Sequence, residues 1–591
     1  MVNYNPDDFT YHQILNFLLD VQMWKQENQL NCELIRMEID KNLTDNRYKL
    51  INSTLLLKLN NVLTPNLVET TRMQFQDQYS INYFQPVHRI LLLYPSMLSD
   101  KRWRTIQIPT AWLFLGSSLS EAEFEVHTRI IPLPSVPQNL NWNHYDAMGL
   151  TLYEDSLMDI SEFLNLIRPQ YRGLIVAGGP LISLNPLQSA YHLPEINLMI
   201  RGESEFILPS LLKAIRLNNI DELFKWRGFL FQSQGTMIIS DFDYINQPQD
   251  FSKFHFSLDF LDANQFRSGL ELNVTRGCNR GCIFCSRVQG RTLRQIPLEK
   301  ISGLLETFSE KLKSHKIAPE PAKTININDD DILQDPHFAS RVFHAIKKNH
   351  FRLWGVQTSI ASFFNRKQQL FPEIVEMLSD PSLFVKNRPL LWLGTDTFLK
   401  KRGKKLGKWI PDQNQIETLL DVFENKGILN YHYWISSDHD SSWEEFIREF
   451  LLIIHLKKKF PSFSILAHSP FLIPYSSTLL FDLLNSDERF KGQIKTKTIL
   501  RAGRSVFHFP LVKQVETRLD YLNKLLSNQS LNQSPGFLDV IKKGDYVRAL
   551  KTAYDFLKQE RLSIESSPDY QLAGALKTVE KKVEMKLAEF I

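Results

Sequence analysis

The sequence predicts an α/β chain: a doubly wound parallel sheet, then a partial (β/α)6 barrel, with helical regions at both ends. Three observations predict this. From residue 88 onward, short apolar runs alternate with helix-length segments, which is the pattern of βαβ units and a parallel sheet. A second series of the same kind runs from residue 269 to residue 471. Just beyond the first strand of that second series stands 275-TRGCNRGCIFCSR-287, where three of the chain's four cysteines fall close together.

Composition narrows the class. The chain has 591 residues, 43% hydrophobic and 12% aromatic, enough apolar surface for large cores. Its length suggests roughly four domain-sized units. Lys and Arg number 69 against 65 Asp and Glu, a net charge of +4, which argues against a nucleic-acid partner. The opening "MVNYNPDDFTYH" is polar and acidic, unlike a secretory leader. No apolar run approaches the ~18 residues of a membrane span. Three clustered cysteines and one distant one do not make a disulfide framework. The expectation is a cytoplasmic, multidomain protein.

The elements follow in order. Residues 1–85 read as helical, with Ile14, Leu18 and Val21 on one stripe. Residues 86–220 read as the sheet domain. "HRILLLYP" (88–95) is a continuous apolar run, as in a buried parallel strand. "PTAWLFLGSSLSEAEFEVHTRII" (109–131) is a helix followed by a strand. "YDAMGLTLYED" (145–155) is a third strand, and "RGLIVAGGPL" (172–181) a fourth that ends in Gly178–Gly179–Pro180. "INLMIRGESEFILPSLLKAI" (196–215) is a fifth strand leading into a helix. Glu203 and Glu205 stand near that helix's positive end and read as capping. There is no G-x-G-x-x-G, so the dinucleotide fingerprint is missing. Residues 221–265 read as a linker.

Residues 266–490 read as the barrel. In "GLELNVT" (269–275), Leu270, Leu272 and Val274 alternate with polar residues, so this is a strand with the cysteines beyond its carboxyl end. That end bears the chemistry in α/β barrels. "RTLRQIPLEKISGLLETF" (291–308) contains the first helix. "KTININDDDIL" (323–333) is a strand that ends in Asp329, Asp330 and Asp331, and Asp335–Pro336 starts a helix. Further strands are 352–360, 390–397, 428–435 and 463–471. Residues 491–591 read as helical, with Asp545 as a cap and Val547, Leu550 and Leu557 on one face.

Cys278, Cys282 and Cys285 form C-x3-C-x2-C. Three thiolates hold a metal centre and leave one position open. A structural zinc site would want a fourth ligand, which the motif does not supply. An iron–sulfur cubane held by three thiolates keeps one iron free. This spacing, with Phe284 before the last cysteine, resembles the radical S-adenosylmethionine superfamily. The resemblance implies a [4Fe–4S] cluster on the three cysteines, with S-adenosylmethionine chelated to the free iron. One electron then cleaves the sulfonium to a 5′-deoxyadenosyl radical, so an electron donor such as flavodoxin or ferredoxin is implied. Phe284, Asp329, Asp330, Gln357, Gly394 and Asp396 are the candidate S-adenosylmethionine contacts. Two turns depart from the family pattern: "SDHDSSWEE" (437–445) after the fifth strand and "IPYSSTLL" (473–480) after the sixth.

The upstream order resembles the cobalamin-binding domain that precedes the barrel in one branch of that superfamily. Tyr94, Gly149, Thr151, Gly178, Gly179 and Pro180 are the candidate cobalamin contacts. Glycine turns let backbone approach a bulky ligand closely, and a side chain at Gly178 or Gly179 is expected to collide with the cofactor's nucleotide tail. The Asp-x-His-x-x-Gly motif, whose histidine ligates cobalt elsewhere, is missing, so no histidine from it is expected on the cobalt. Cys32 is the sole remaining thiol, which rules out a second cysteine-held cluster. The implied activity is methyl transfer to an unactivated carbon of a small-molecule or peptide substrate, through the deoxyadenosyl radical and methylcobalamin. Rearrangement, cyclisation or oxidation without methyl transfer is the alternative, and a non-catalytic zinc scaffold is the reading from another class.

Overall fold

The computed structural model describes residues 87–487, apart from short gaps, together with 497–501 and 504–508. The gaps that bear on the site are 98–106, 154–156, 287 and 467–477. The helical patterns read in 1–85 and 544–560, Cys32, and most of the 473–480 turn lie outside the described residues.

The first unit is a seven-stranded sheet, in the order β2-β1-β3-β4-β5-β6-β7. Strands β1 (Arg89–Met97), β2 (Glu125–Leu133), β3 (Ala147–Thr151), β4 (Leu174–Gly178) and β5 (Leu198–Ile200) run parallel. Helix α1 (Thr110–Glu121) joins β1 to β2, and α2 (Leu157–Ile167) joins β3 to β4. Alternate residues feed two cores. Leu91, Leu93, Ile175 and Ala177 join one cluster with α2. Leu92, Val176 and Ile200 join a larger cluster that continues into the second unit. A strand buried on both faces needs apolar residues at every position, and this is the run seen in "ILLL" (90–93).

The segment read as a linker is more than that. It adds β6 (Phe229–Ser233) and β7 (Thr236–Ser240), both antiparallel, to the sheet. It then lays Phe251, Phe254 and Phe256 against Phe114 of α1, with ring centroids 5.0 Å apart for Phe114–Phe254 and 4.9 Å for Phe254–Phe256. An aromatic strap therefore fastens the sheet's first helix to the chain entering the second unit.

The second unit has parallel strands in sequential order. Strands β8 (Leu270–Leu272), β11 (Thr324–Ile327) and β12 (Arg352–Leu353) form one sheet. Strands β13 (Val356–Ser359), β14 (Leu390–Asp396), β15 (Leu429–Trp434) and β16 (Phe463–Leu466) form another. Strands β12 and β13 are two halves of the strand expected at 352–360, split at Trp354–Gly355, where the Trp392 ring packs on the glycine. Exposure alternates along β14. Leu391, Leu393 and Thr395 are buried, while Trp392, Gly394 and Asp396 on the inner face are half-buried. Asp335 caps helix α6 (Pro336–Lys348) by accepting from Phe338 N at 3.0 Å, with Pro336 in the first turn as expected. In the region read as helical from 491, Lys497–Arg501 and Arg504–His508 form an antiparallel hairpin instead.

His432 of β15 is fully buried on the outer face. Its Nδ1 accepts from Thr395 Oγ1 at 2.7 Å, and its Nε2 donates to Asn430 Oδ1 at 3.0 Å, an orientation set by Asn430 Nδ2 donating to Ile428 O. Burial drives His432 down from 6.5 to about 3. Below pH 6.5 the unfolded chain therefore takes up a proton that the folded chain refuses. The stability from neutral His432 is full above pH 6.5 and falls toward pH 3, by up to roughly 1.4 kcal/mol per pH unit. Urea midpoints measured between pH 7 and pH 4.5 are expected to fall more steeply for the wild type than for His432→Gln.

Candidate cofactor site at the junction of the two sheets

The cysteine loop is tied at its root and along its length. Strand β9 (Thr275–Arg276) pairs antiparallel with β10 (Arg294–Gln295), closing the loop between them. Gly277 and Gly290 both take φ +84°, a conformation that favours glycine, and Cys278 N donates to Gly290 O at 3.1 Å. Asn279 N donates to Gln334 Oε1 at 2.8 Å, and Ile283 N to Leu406 O at 3.1 Å. None of the three is in a disulfide; Cys278 and Cys282 are half-buried and Cys285 is exposed. Among the described residues no three His, Cys, Asp or Glu side chains converge tightly enough to hold a metal ion, so the thiols share a loop without meeting at a point. Burial pushes the Cys278 thiol up to about 11. A thiolate there needs a cationic centre beside it, and three thiols on one tethered loop are a donor set that fits a cluster with one open position.

The three aspartates have three jobs. Asp329, expected to touch S-adenosylmethionine, is turned away from the cavity. Its Oδ1 accepts from Val274 N and its Oδ2 from Thr275 N, both at 2.8 Å, and Thr275 Oγ1 donates at 2.6 Å. It brackets the join of β8 to β9, where the backbone leaves one ladder for another. Asp330 faces the cavity described below. Burial raises its pKa, and Asp331 and Glu203 add to the rise. Asp331 holds the cysteine loop from beneath: its Oδ2 takes Arg280 Nε at 2.7 Å, and its Oδ1 takes Thr358 Oγ1 at 2.5 Å.

Glu203 and Glu205 are not caps. Helix α4 (Leu208–Arg216) begins beyond them, without a side-chain cap. Both reach across to the cysteine loop's root. Arg276 pairs with Glu203 at 2.6 Å and also with Glu205, and Arg294 pairs with Glu203 at 2.5 Å. All four side chains are buried. Arg294 also donates to Pro248 O and Gln289 O, both at 2.6 Å, and the Arg276 guanidinium lies 4.1 Å from the Phe114 ring centroid.

Beside this cluster lies a cavity of about 430 Å³. Tyr94, Gly149, Thr151, Gly178, Gly179 and Pro180 all line it, from the carboxyl ends of β1, β3 and β4. Cys285, Asn328 and Asp330 line it from the second unit. At Gly178 an added Cβ would find its nearest neighbour 3.7 Å away, so backbone and open space meet there. Gly179 is glycine for a different reason than expected: its φ is +96°, and a Cβ would stand 2.8 Å from Leu152 O. The protein's own backbone fills that position. Phe284 is half-buried and lies outside the cavity wall. Gln357 and Gly394 share the inner face of β13 and β14, in register with Trp392 and Ser359 respectively. Asp396 takes φ +63° at a bulge and pairs with the buried Lys408. Arg276, Arg294, Lys408 and Glu271 escaped the sequence reading. The one signal was that "TR" and "LRQ" flank the cysteines, two arginines with no adjacent acid.

No protein-family model matches the chain. The apo form of the cobalamin-dependent S-adenosylmethionine radical enzyme OxsB is similar in structure, with a TM-score of 0.59 and 15% identity, covering 88% of this chain and 81% of that one. The radical S-adenosylmethionine methyltransferase TsrM from Kitasatospora setae, with cobalamin and a [4Fe-4S] cluster bound, has a TM-score of 0.52 and 13% identity, covering 79% of this chain and all of that one. This chain has the fold of the cobalamin-dependent radical S-adenosylmethionine enzymes. By sequence it is 22% identical over 225 residues to bacteriochlorophyllide d C-12(1)-methyltransferase from Chlorobaculum tepidum, a match that spans 38% of this chain and 45% of that protein. Among the described residues no helix is long and apolar enough to cross a membrane.

The bracket predicts a separable effect. Asp329→Asn keeps one acceptor but loses the charge that three donors share, and is expected to lower stability by about 1–3 kcal/mol. Asp330→Asn is expected to leave stability within about 0.5 kcal/mol, the range of substitutions away from such features. Chemical denaturation of the two variants side by side checks the difference.

Proposed function

We propose that the chain is a cobalamin-dependent radical S-adenosylmethionine enzyme that transfers a methyl group to an unactivated carbon of a small-molecule or peptide substrate. The observation behind this reading is the single cavity that the sheet's strand ends share with Cys285 and Asp330. The six parallel strands from β8 to β16 are the partial (β/α)6 barrel of this reading. The names of the similar proteins support methyl transfer: two of the three are called methyltransferases.

The cofactors would supply one-electron cleavage of S-adenosylmethionine and carriage of a methyl group, and a flavodoxin- or ferredoxin-like donor would supply the electron. The chain's own residues supply orientation and exclusion of water. Cys278, Cys282 and Cys285 hold the cluster, and Asp331, through Arg280, fixes the loop that bears them. Asp330, on the cavity wall, would accept a hydrogen bond from S-adenosylmethionine. Gln357, Gly394 and Asp396, on the inner face of β13 and β14 and outside the lining of this cavity, would be that cofactor's further contacts in this reading. Gly149, Thr151, Gly178 and Pro180 leave space at the strand ends for the corrin and its nucleotide tail.

Product mass spectrometry with isotopically labelled S-adenosylmethionine is the functional test. A product lacking the labelled methyl would turn the reading toward rearrangement, cyclisation or oxidation. Changing Cys278, Cys282 and Cys285 together to Ala is expected to abolish both the brown chromophore and reductive cleavage of S-adenosylmethionine. Iron at about four atoms per chain, one cubane, in that variant would refute the cluster assignment.

A second variant addresses the sheet. Gly178→Trp places bulk in the cavity at a position where a Cβ is tolerated. It is expected to retain no corrin absorbance after incubation with hydroxocobalamin and desalting, while keeping its iron. Retention equal to the wild type would remove the corrin from this cavity.

A further inference from the structure

One corner of the cavity wall has no part in the assignments above. Thr110 and Trp112 open helix α1, Glu271 sits on β8 between two fully buried leucines, and all three line the cavity. The corner is fixed in place by backbone. Ile108 N donates to Gly269 O, and Glu271 N to Ile108 O, both at 3.0 Å, so the start of α1 is stitched to β8. The helix is preceded by Pro109, which offers no side-chain cap. Burial pushes the Glu271 carboxyl up to about 7, with the nearby Thr110 backbone N–H opposing the rise.

Two polar atoms in this corner are buried and have no partner, Trp112 Nε1 and Thr110 Oγ1. Trp112 is only 2% exposed. Gln289 Oε1, across the cysteine loop but on the same cavity, is a third. Buried polar groups are nearly always satisfied, and each that is not needs a ligand or a water to explain it. The set contains an indole N–H and a hydroxyl that donate, and a carboxylate and an amide oxygen that accept. A primary carboxamide presents both complements at once, a C=O acceptor and an N–H₂ donor.

We propose that Trp112, Thr110 and Glu271 form a carboxamide-recognition corner that grips the amide-bearing rim of the corrin. This rests on the cobalamin reading above. The corner lies on α1, which follows β1, and Tyr94 of β1 lines the same cavity. It therefore belongs to the sheet that offers the glycine turns. Trp112 donates to an amide oxygen, and Glu271 accepts from an amide N–H. The Thr110 hydroxyl, which has no partner within the chain, turns to the same group.

The test uses the full-length chain with its cluster reconstituted anaerobically. Two corrinoids are titrated by visible absorbance: cobinamide, whose rim is amide, and cobyrinic acid heptamethyl ester, whose rim keeps the C=O but lacks the N–H. The wild type is expected to prefer cobinamide. Glu271→Ala is expected to shrink that preference by about tenfold, the loss of one hydrogen bond to a charged acceptor. Trp112→Phe is expected to weaken both corrinoids by about fivefold and to leave their ratio alone, since both retain the carbonyl. The ratio is read within each variant, so partial unfolding does not imitate the Glu271 effect. Iron content and far-ultraviolet circular dichroism check that Trp112→Phe is folded. An unchanged ratio in Glu271→Ala overturns the corner, and so does a folded Trp112→Phe that binds both ligands as tightly as the wild type. If the wild type retains neither corrinoid, the cobalamin reading itself fails and the corner fails with it.

Discussion

The buried cluster of Glu203, Glu205, Arg276 and Arg294 is the constraint on which the site depends. It joins the turn after β5 in one sheet to both strands at the root of the cysteine loop. Its charges balance, two against two, which is how such a group tolerates burial at all. Its value lies in geometry more than in stability. Desolvation costs several kcal/mol per ion and largely cancels the attraction, whereas removing one partner leaves an unpaired buried charge and costs about 3–5 kcal/mol. An apolar replacement of the whole cluster could hold the two units together. It could not set the register between them, because apolar contact is non-directional. Arg294 shows the difference: its guanidinium donates to Glu203, Pro248 O and Gln289 O together, three groups from three segments.

Much of the fold was legible because parallel strands buried on both faces leave an unmistakable trace. "ILLL" and "LIVA" read correctly as strands for that reason, and the aspartate–proline start of α6 read correctly because capping is local chemistry. The 221–265 segment misread because β6 and β7 follow one another closely and pair antiparallel, so the βαβ rhythm stops. The phenylalanines that follow have no regular period. They answer to Phe114, well over a hundred residues earlier, and no local pattern announces such a partner.

The site was legible in a different proportion. The cysteines and the glycine turns are distinguished by residue type, and residue type is what a sequence gives. The roles within "DDD" depend on where each carboxylate points, and a chain leaving a strand turns successive side chains in different directions. Asp329 returns to its own sheet, Asp330 faces the cavity and Asp331 reaches under the loop. The turn at Gly178–Gly179 shows the same limit. Two adjacent glycines look alike in sequence, yet one is empty space and the other is a left-handed backbone against Leu152. Glu203 and Glu205 read as caps because charge near a helix start is the local explanation, and their real partners are about seventy to ninety residues away.

In parallel α/β sheets ligands collect at the carboxyl ends of the strands. A two-unit enzyme gains from this only if the two sets of ends face one another. Here Thr151 and Gly178 end two strands of one sheet, Tyr94 lies in the carboxyl half of a third, Asn273 and Asn328 stand just past two strands of the other sheet, and all five line one cavity. The arrangement is enforced at three places. The Ile108–Leu270 bridge stitches α1 to β8, the phenylalanine strap packs beneath that helix, and the ionic cluster locks the loop's root. A shared apolar core runs through all of it. Any sliding of one unit on the other would break directional bonds at two of these three places before it cost much apolar contact. The cavity between the strand ends is therefore held in a defined geometry by directional bonds as well as by apolar contact, the kind of positioning that brings two groups into register.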